Sequence, residues 1–283
     1  MKLLPVLALL LPLAYCLPSL KIGTLQSSGV KGVLMCNGKP AVNVKVKLYD
    51  DDRGIDLDDL MDEGVTDAEG KFELKGSETE ITTIDPKLNV YHDCNDETVP
   101  CLKKFSIMLP DSYVSQGAIP SKLFDVGTIN LEGKFSGETR DLVFVLFAVF
   151  TLVNGIPKLL NLGKTQSVAV KGQLLCNDEP MENVKVKLYD VDTVDMDDLM
   201  AEGRTSANGT FELSGSETEI TKIDPKLNIY HNCNDQQREC LRKFSIIIPD
   251  SYITEGKEAE RTFDAGILNL SAKFPGETRD CIN

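Results

Sequence analysis

Cysteines carry most of the chemistry that the spacing of this sequence suggests. The 283-residue chain has eight. Seven form two similar series: Cys36, Cys94 and Cys101, then Cys176, Cys233, Cys240 and Cys281. Cys94 and Cys101, like Cys233 and Cys240, flank Asn-Asp turn chemistry and lead into a strand pattern, so each pair is expected to bridge a hairpin. Elimination then pairs Cys176 with Cys281 and leaves Cys36 unpaired. Four cysteines allow three connectivities, so the other pairings stay open. A loop as long as that from Cys176 to Cys281 would contribute about 4 kcal/mol in the chain-entropy model. His92 with Cys36, Cys94 and Cys101 makes a formal zinc ligand set, repeated around His231. His92 and Cys94 are too close in sequence to favour it, and exported thiols oxidise, so disulfides are expected and no metal.

Other reactive groups are sparse. Asp50, Asp51, Asp52, Asp56, Asp58 and Asp59 crowd one loop, and Asp190, Asp192, Asp195, Asp197 and Asp198 crowd its counterpart. Calcium uses such oxygens, but the spacing lacks the glycine and terminal glutamate of an EF-hand. A solvated loop leading into a capped helix start is the expectation, with a short helix over Leu57-Asp58-Asp59-Leu60-Met61. Each series has one histidine, His92 or His231, and a lone histidine beside strand residues is expected to be structural. Nucleophile elbows, phosphate loops and His-Glu zinc helices are absent from the sequence.

These residues sit in a repeat. VKGVLMCN from Val30 returns as VKGQLLCN from Val170. NVKVKLYD recurs at Asn43 and Asn183, GSETEIT at Gly76 and Gly215, and GETRD at Gly137 and Gly276. The period exceeds that of any solenoid unit, so each copy is expected to be a domain with its own core. Val44, Val46 and Leu48 alternate with Lys45, Lys47 and Tyr49, and Phe105, Ile107 and Leu109 with Ser106 and Met108. Such alternation, broken by Gly, Pro, Asn and Asp, predicts an all-β antiparallel sandwich in each copy.

Two apolar runs frame the copies. Residues 1–16 read as a signal peptide, with Lys2 ahead of LLPVLALLLPLAY and small residues Ala14 and Cys16 before Leu17. Residues 142–155 hold LVFVLFAVFTLV and resemble a second signal, with Val153 and Gly155 before Ile156. The run is too short for a confident membrane span. A buried linking element and a membrane anchor are its alternatives. The copies then occupy residues 17–141 and 156–283. Copy one lacks the last cysteine, because Leu142 stands where copy two has Cys281. A net charge of −14 argues against nucleic acid and anionic lipid as electrostatic partners.

The linked motifs VKGxLxCN, NVKVKLYD, GxFELxGSETEIT, IDPKLNxYHxC, KFSIxxPDSY and KFxGETRD closely resemble the nematode transthyretin-like family, over Val30 to Asp141 and Val170 to Cys281. The resemblance implies secreted, transthyretin-like β-sandwich domains, ordinarily one per chain with its own signal. A tandem copy with an internal signal departs from that pattern and points to two neighbouring gene copies joined in one reading frame. The fold's enzyme branch, the 5-hydroxyisourate hydrolases, uses more than one His, an Arg and a terminal Tyr-Arg-Gly-Ser motif. Each copy lacks the second His and that motif, so an enzyme is not expected.

The expected function is a secreted, non-enzymatic binding protein without a cofactor. Its ligand would be a small apolar molecule, a lipid or a cell-surface protein, and the chain would be monomeric or a homo-oligomer. Ureide hydrolysis and a ligand-free extracellular scaffold are the alternatives. Tyr49, Tyr113, Tyr189 and Tyr252, shared and exposed-looking, are the candidate recognition residues, against a packing role. Asn208-Gly209-Thr210 and Asn269-Leu270-Ser271 are glycosylation sequons confined to copy two.

Overall fold

A computed structural model describes residues 23–52, 58–99, 101–140, 163–191 and 197–282. The segments read as export signals, 1–16 and 142–155, lie outside the described residues. Copy one runs β1 (Thr24–Cys36), β2 (Lys39–Pro40), β3 (Lys45–Asp50), β4 (Asp59–Val65), β5 (Lys71–Glu80), β6 (Pro86–His92), β7 (Lys103–Met108), β8 (Ser115–Gln116), β9 (Phe124–Asn130), β10 (Lys134–Phe135) and β11 (Thr139–Arg140). Copy two runs β12 (Lys164–Cys176), β13 (Glu179–Pro180), β14 (Lys185–Asp190), β15 (Asp198–Arg204), β16 (Thr210–Glu219), β17 (Pro225–His231), β18 (Leu241–Ile247), β19 (Thr254–Glu255), β20 (Thr262–Asn269) and β21 (Thr278–Asp280).

Each copy is the expected two-layer sandwich. One layer of copy one is the antiparallel sheet β4-β3-β6-β7-β11, and the other is built on β1, antiparallel to β5 and parallel to β9. Period-two alternation places Val46, Leu48 and Asp50 inward and leaves Lys45, Lys47 and Tyr49 on the outer face. Val30, Leu34, Leu88, Val90, Phe105 and Phe124 are fully or almost fully buried between the layers.

The short helix expected over 57–61 does not form. Of these residues, Asp58 is described without regular structure and Asp59 to Met61 begin β4, which pairs with β3 from Lys45↔Val65 to Asp50↔Asp59. A single helical turn fixes several torsions for one hydrogen bond, whereas pairing with β3 satisfies the backbone along a whole ladder. The helical turns among the described residues are three-residue 3-10 turns, Asp111–Tyr113 and Asp250–Tyr252, in the repeated PDSY motif.

The copies do not stay separate. β9 pairs antiparallel with β20 through Gly127↔Leu268, Thr128↔Ile267 and Ile129↔Gly266, so the β1 layer of copy one and the β12 layer of copy two form one sheet. The opposite layers are bridged by exchange. β10 of copy one pairs with β18 of copy two, and Lys273 of copy two bridges Met108 of copy one. Four rings line this crossing: Phe105 lies 5.0 Å from Phe135, Phe135 5.8 Å from Phe274, and Phe274 stacks 4.3 Å from Phe244. The buried apolar residues of both copies form one contiguous cluster.

Two glycines let the strands approach. Gly127 and Gly266 have φ of +88° and +87°, and a Cβ on either would sit about 2 Å from a carbonyl oxygen of the facing strand.

Candidate functional site

The disulfide framework differs from the expected one. Cys36 bonds Cys94, Cys176 bonds Cys233, and Cys240 bonds Cys281. Cys101, expected to pair with Cys94, is free, and Cys36, expected to be unpaired, is bonded. The sandwich explains the change. The end of β1 and the turn after β6 meet where Asn37 and Asn95 hydrogen-bond at 2.8 Å, which brings Cys36 beside Cys94. The same contact joins Asn177 to Asn234 in copy two. Local hairpin spacing could not reveal this long-range meeting. The second bridge ties the start of β18 to the chain's end, and in copy one Leu142 stands at the aligned partner position of Cys101. The Cys36–Cys94 bond also removes two thiolates from the formal zinc set around His92.

The two histidines are buried and their ring nitrogens lack hydrogen-bond partners among the described residues. His92 meets Phe105 edge-on and its Nε2 is 3.7 Å from Glu138 Oε2. In copy two the matching Glu277 is held by Arg242 at 2.7 and 2.9 Å. Burial, with the Arg242 charge adding to it, lowers the His231 pKa to about 3. A general base must reach a proton at hydrogen-bond distance, and burial against phenylalanine gives these rings a packing role.

The acidic loops are tied down by lysines of the IDPKLN motif. Lys87 of β6 pairs with Asp51 and Asp58, and Lys226 of β17 with Asp197 at 2.6 Å. Asp50, Asp52 and Glu80 bring carboxylate oxygens within 4.8 Å of one another, the one group with the ligand types for a cation among the described residues. Asp50 accepts the Asp85 N–H at 2.7 Å. Burial first, then the neighbouring carboxylates, pushes the Asp50 carboxyl up to about 6.

The four candidate tyrosines fall into two kinds. Tyr49 and Tyr189 are half-buried on the outer sheet face, with Lys47 and Lys187 ammonium groups 5.8 and 6.0 Å from their rings. Tyr113 and Tyr252, expected to be exposed, are buried, and their hydroxyls reach across the junction. Tyr113 donates to Asp178 at 3.2 Å and Tyr252 to Glu132 at 3.0 Å. Burial and then the Asp178 charge push the Tyr113 hydroxyl up to about 12. The PDSY turn packs these rings on Phe124 and Phe263 of their own copies and sends their hydroxyls to the other copy, a placement that sequence exposure patterns do not carry.

A surface cleft of about 760 Å³ opens beside the junction on the outer face of the shared sheet. Met35 comes from copy one, and Gln173, Arg204, Thr210, Phe211 and Ile267 come from copy two. Its counterpart on copy one, lined by Val33, Val65, Lys71 and Phe72, measures about 480 Å³ and draws on no residue of copy two. The wall that Met35, Thr128 and Asn130 add to the copy-two cleft is absent from any single repeat.

Fold and framework together define a tandem pair of disulfide-bonded β-sandwiches sharing one sheet. The Transthyretin-like family model matches residues 31–110 and 171–249, more than half of the chain, and the chain belongs to that family. Transthyretin-like protein 5 of Caenorhabditis elegans is 60% identical over 120 residues, covering 86% of that protein and 42% of this chain. Transthyretin-like protein 33 of the same nematode is 56% identical over 116 residues, covering 81% of it and 41% of this chain. A shaft pilin of Lactobacillus rhamnosus aligns with 87% of this chain and 98% of its own at 10% identity, with a TM-score of 0.19, a likeness that carries no argument.

Proposed function

We propose that the chain is an exported, non-enzymatic binding protein whose ligand, a small apolar molecule or lipid, occupies the junction cleft. The observation that carries this reading is the cleft itself. It sets the apolar side chains of Met35, Phe211 and Ile267 among polar and charged ones, including Lys171, Arg204, Glu212 and Asp264, a mixed lining that suits a ligand with an apolar body and a polar head. Export is supported by three disulfides. Among the described residues, no helix is long and apolar enough to cross a membrane. The non-enzymatic reading is supported by the buried, unpartnered imidazoles.

Titration of the purified chain with the fluorescent fatty acid cis-parinaric acid tests the reading. Saturable binding is expected, weakened about tenfold by Ile267→Asp, which places a charge where an apolar wall stands. Absence of saturable binding, or a variant that binds equally well, overturns the site. Hydrolysis of 5-hydroxyisourate above background overturns the non-enzymatic assignment.

A further inference from the structure

The two sequons of copy two stand in opposite surroundings. Asn208 is exposed in the turn between β15 and β16, where Gly209 N–H donates to Ser206 O at 2.8 Å. The Asn208 backbone oxygen accepts the Gln173 amide at 2.9 Å, and Gln173 and Thr210 both line the junction cleft. The turn therefore holds Asn208 at the rim of that cleft with its side chain open to solvent.

Asn269 is completely buried. Its Nδ2 donates to Asp125 O of copy one at 2.9 Å and to Asp178 Oδ1 at 2.8 Å, so both amide hydrogens are committed. Asn130 makes the reciprocal contact, donating to Asp264 O at 2.8 Å. Asn269 is thus half of a two-way latch between the copies. The hydroxyl that completes its sequon is also accounted for: Ser271 Oγ accepts the Asn177 N–H at 2.6 Å and donates to Asn177 Oδ1 at 3.1 Å. Both polar residues of this sequon have structural duties, and the native junction has no room for a sugar.

We propose that the folded chain carries one N-linked glycan, on Asn208 at the rim of the junction cleft, and that Asn269 stays bare because its amide joins the copies. In the transfer, Asn208 Nδ2 forms a bond to the anomeric carbon of a lipid-pyrophosphate-linked oligosaccharide. The bond from that carbon to the pyrophosphate oxygen breaks, the lipid pyrophosphate leaves, and the amide gives up one proton. Copy one has Glu69 at the matching turn and Glu132 at the matching hydroxyl position, so the sugar distinguishes the two quasi-equivalent clefts. The proposal rests on export of copy two.

The test is expression of the full chain in a secreting eukaryotic cell line, with enzymatic deglycosylation in heavy-oxygen water to tag each occupied asparagine. The expected result is a mass loss of one glycan, a tag on Asn208 alone, and loss of the glycan in Asn208→Gln and Thr210→Ala but not in Thr210→Ser. The wild-type tagging reads Asn269 directly, so it does not depend on a variant that fails to fold. A tag on Asn269 in folded material, or no tag on Asn208, overturns the proposal. Protease protection in sealed microsomes separates the causes. A protected but bare copy two sinks the glycan alone, whereas a digested copy two sinks the export reading with it.

Discussion

The two copies share a junction but differ in how their outer corners are secured. Gly127 and Gly266, Asn130 and Asn269, Tyr113 and Tyr252, and Phe135 and Phe274 hold matching places on the two sides of the crossing. Away from it, copy two adds the Cys240–Cys281 bond and an Arg242–Glu277 pair, where copy one has a free Cys101 and a His92–Glu138 approach. The difference teaches that the junction needs both copies, whereas each corner is stabilised within its own copy. The molecule behaves as one assembly with unequal ends.

The largest expected effect comes from breaking the shared part. Gly127→Val or Gly266→Val puts a branched side chain into a facing carbonyl at a left-handed φ, and should cost several kcal/mol and push the copies apart. Gly38→Ala is the comparison: its φ of +67° is unfavourable, but no atom lies within 4 Å, so about 1 kcal/mol is expected. Urea unfolding measures both.

Next come the unequal ends. Replacing Cys240 and Cys281 by Ser should lower the stability of copy two by as much as about 4 kcal/mol in the chain-entropy model, while copy one is untouched. Leu142→Cys sharpens the comparison from the other side. It should protect Cys101 from alkylation, and non-reducing peptide maps should show Cys101 linked to the introduced thiol.

The last effect is confined to acid pH. The His231 pKa is lowered in the fold, from the ordinary 6.5 to about 3. Its contribution is therefore present above pH 6.5 and lost as pH falls toward 3. His231→Phe should flatten that part of the acid loss of melting temperature. An unchanged acid profile would remove His231 from the account.

The strands were legible in the sequence because a single period-two pattern repeats twice, and the family because many motifs are linked. Val46 and Leu48 face inward as their alternation requires. Other features depend on residues far apart in the chain. Cys36 meets Cys94 only when the end of β1 comes up beside the turn after β6, and hairpin spacing pointed instead to Cys101. Leu60 and Met61 suggested a helix next to acidic residues, but pairing with β3 decides their conformation. Tyr113 looks exposed in its motif, but its ring packs against Phe124 and Lys122 of its own copy and its hydroxyl reaches Asp178 of the other. The cleft wall shared by Met35 and Ile267 likewise forms only after the sheets join.

That joining is the central claim, and it is tested most directly by cutting the connection between the copies. A protease site inserted within residues 142–155 of the otherwise unaltered chain allows cleavage after folding, followed by size-exclusion chromatography with light scattering. The account predicts that both halves elute together at the mass of the uncut chain. Two separate species, each with the mass of a single half, would contradict it.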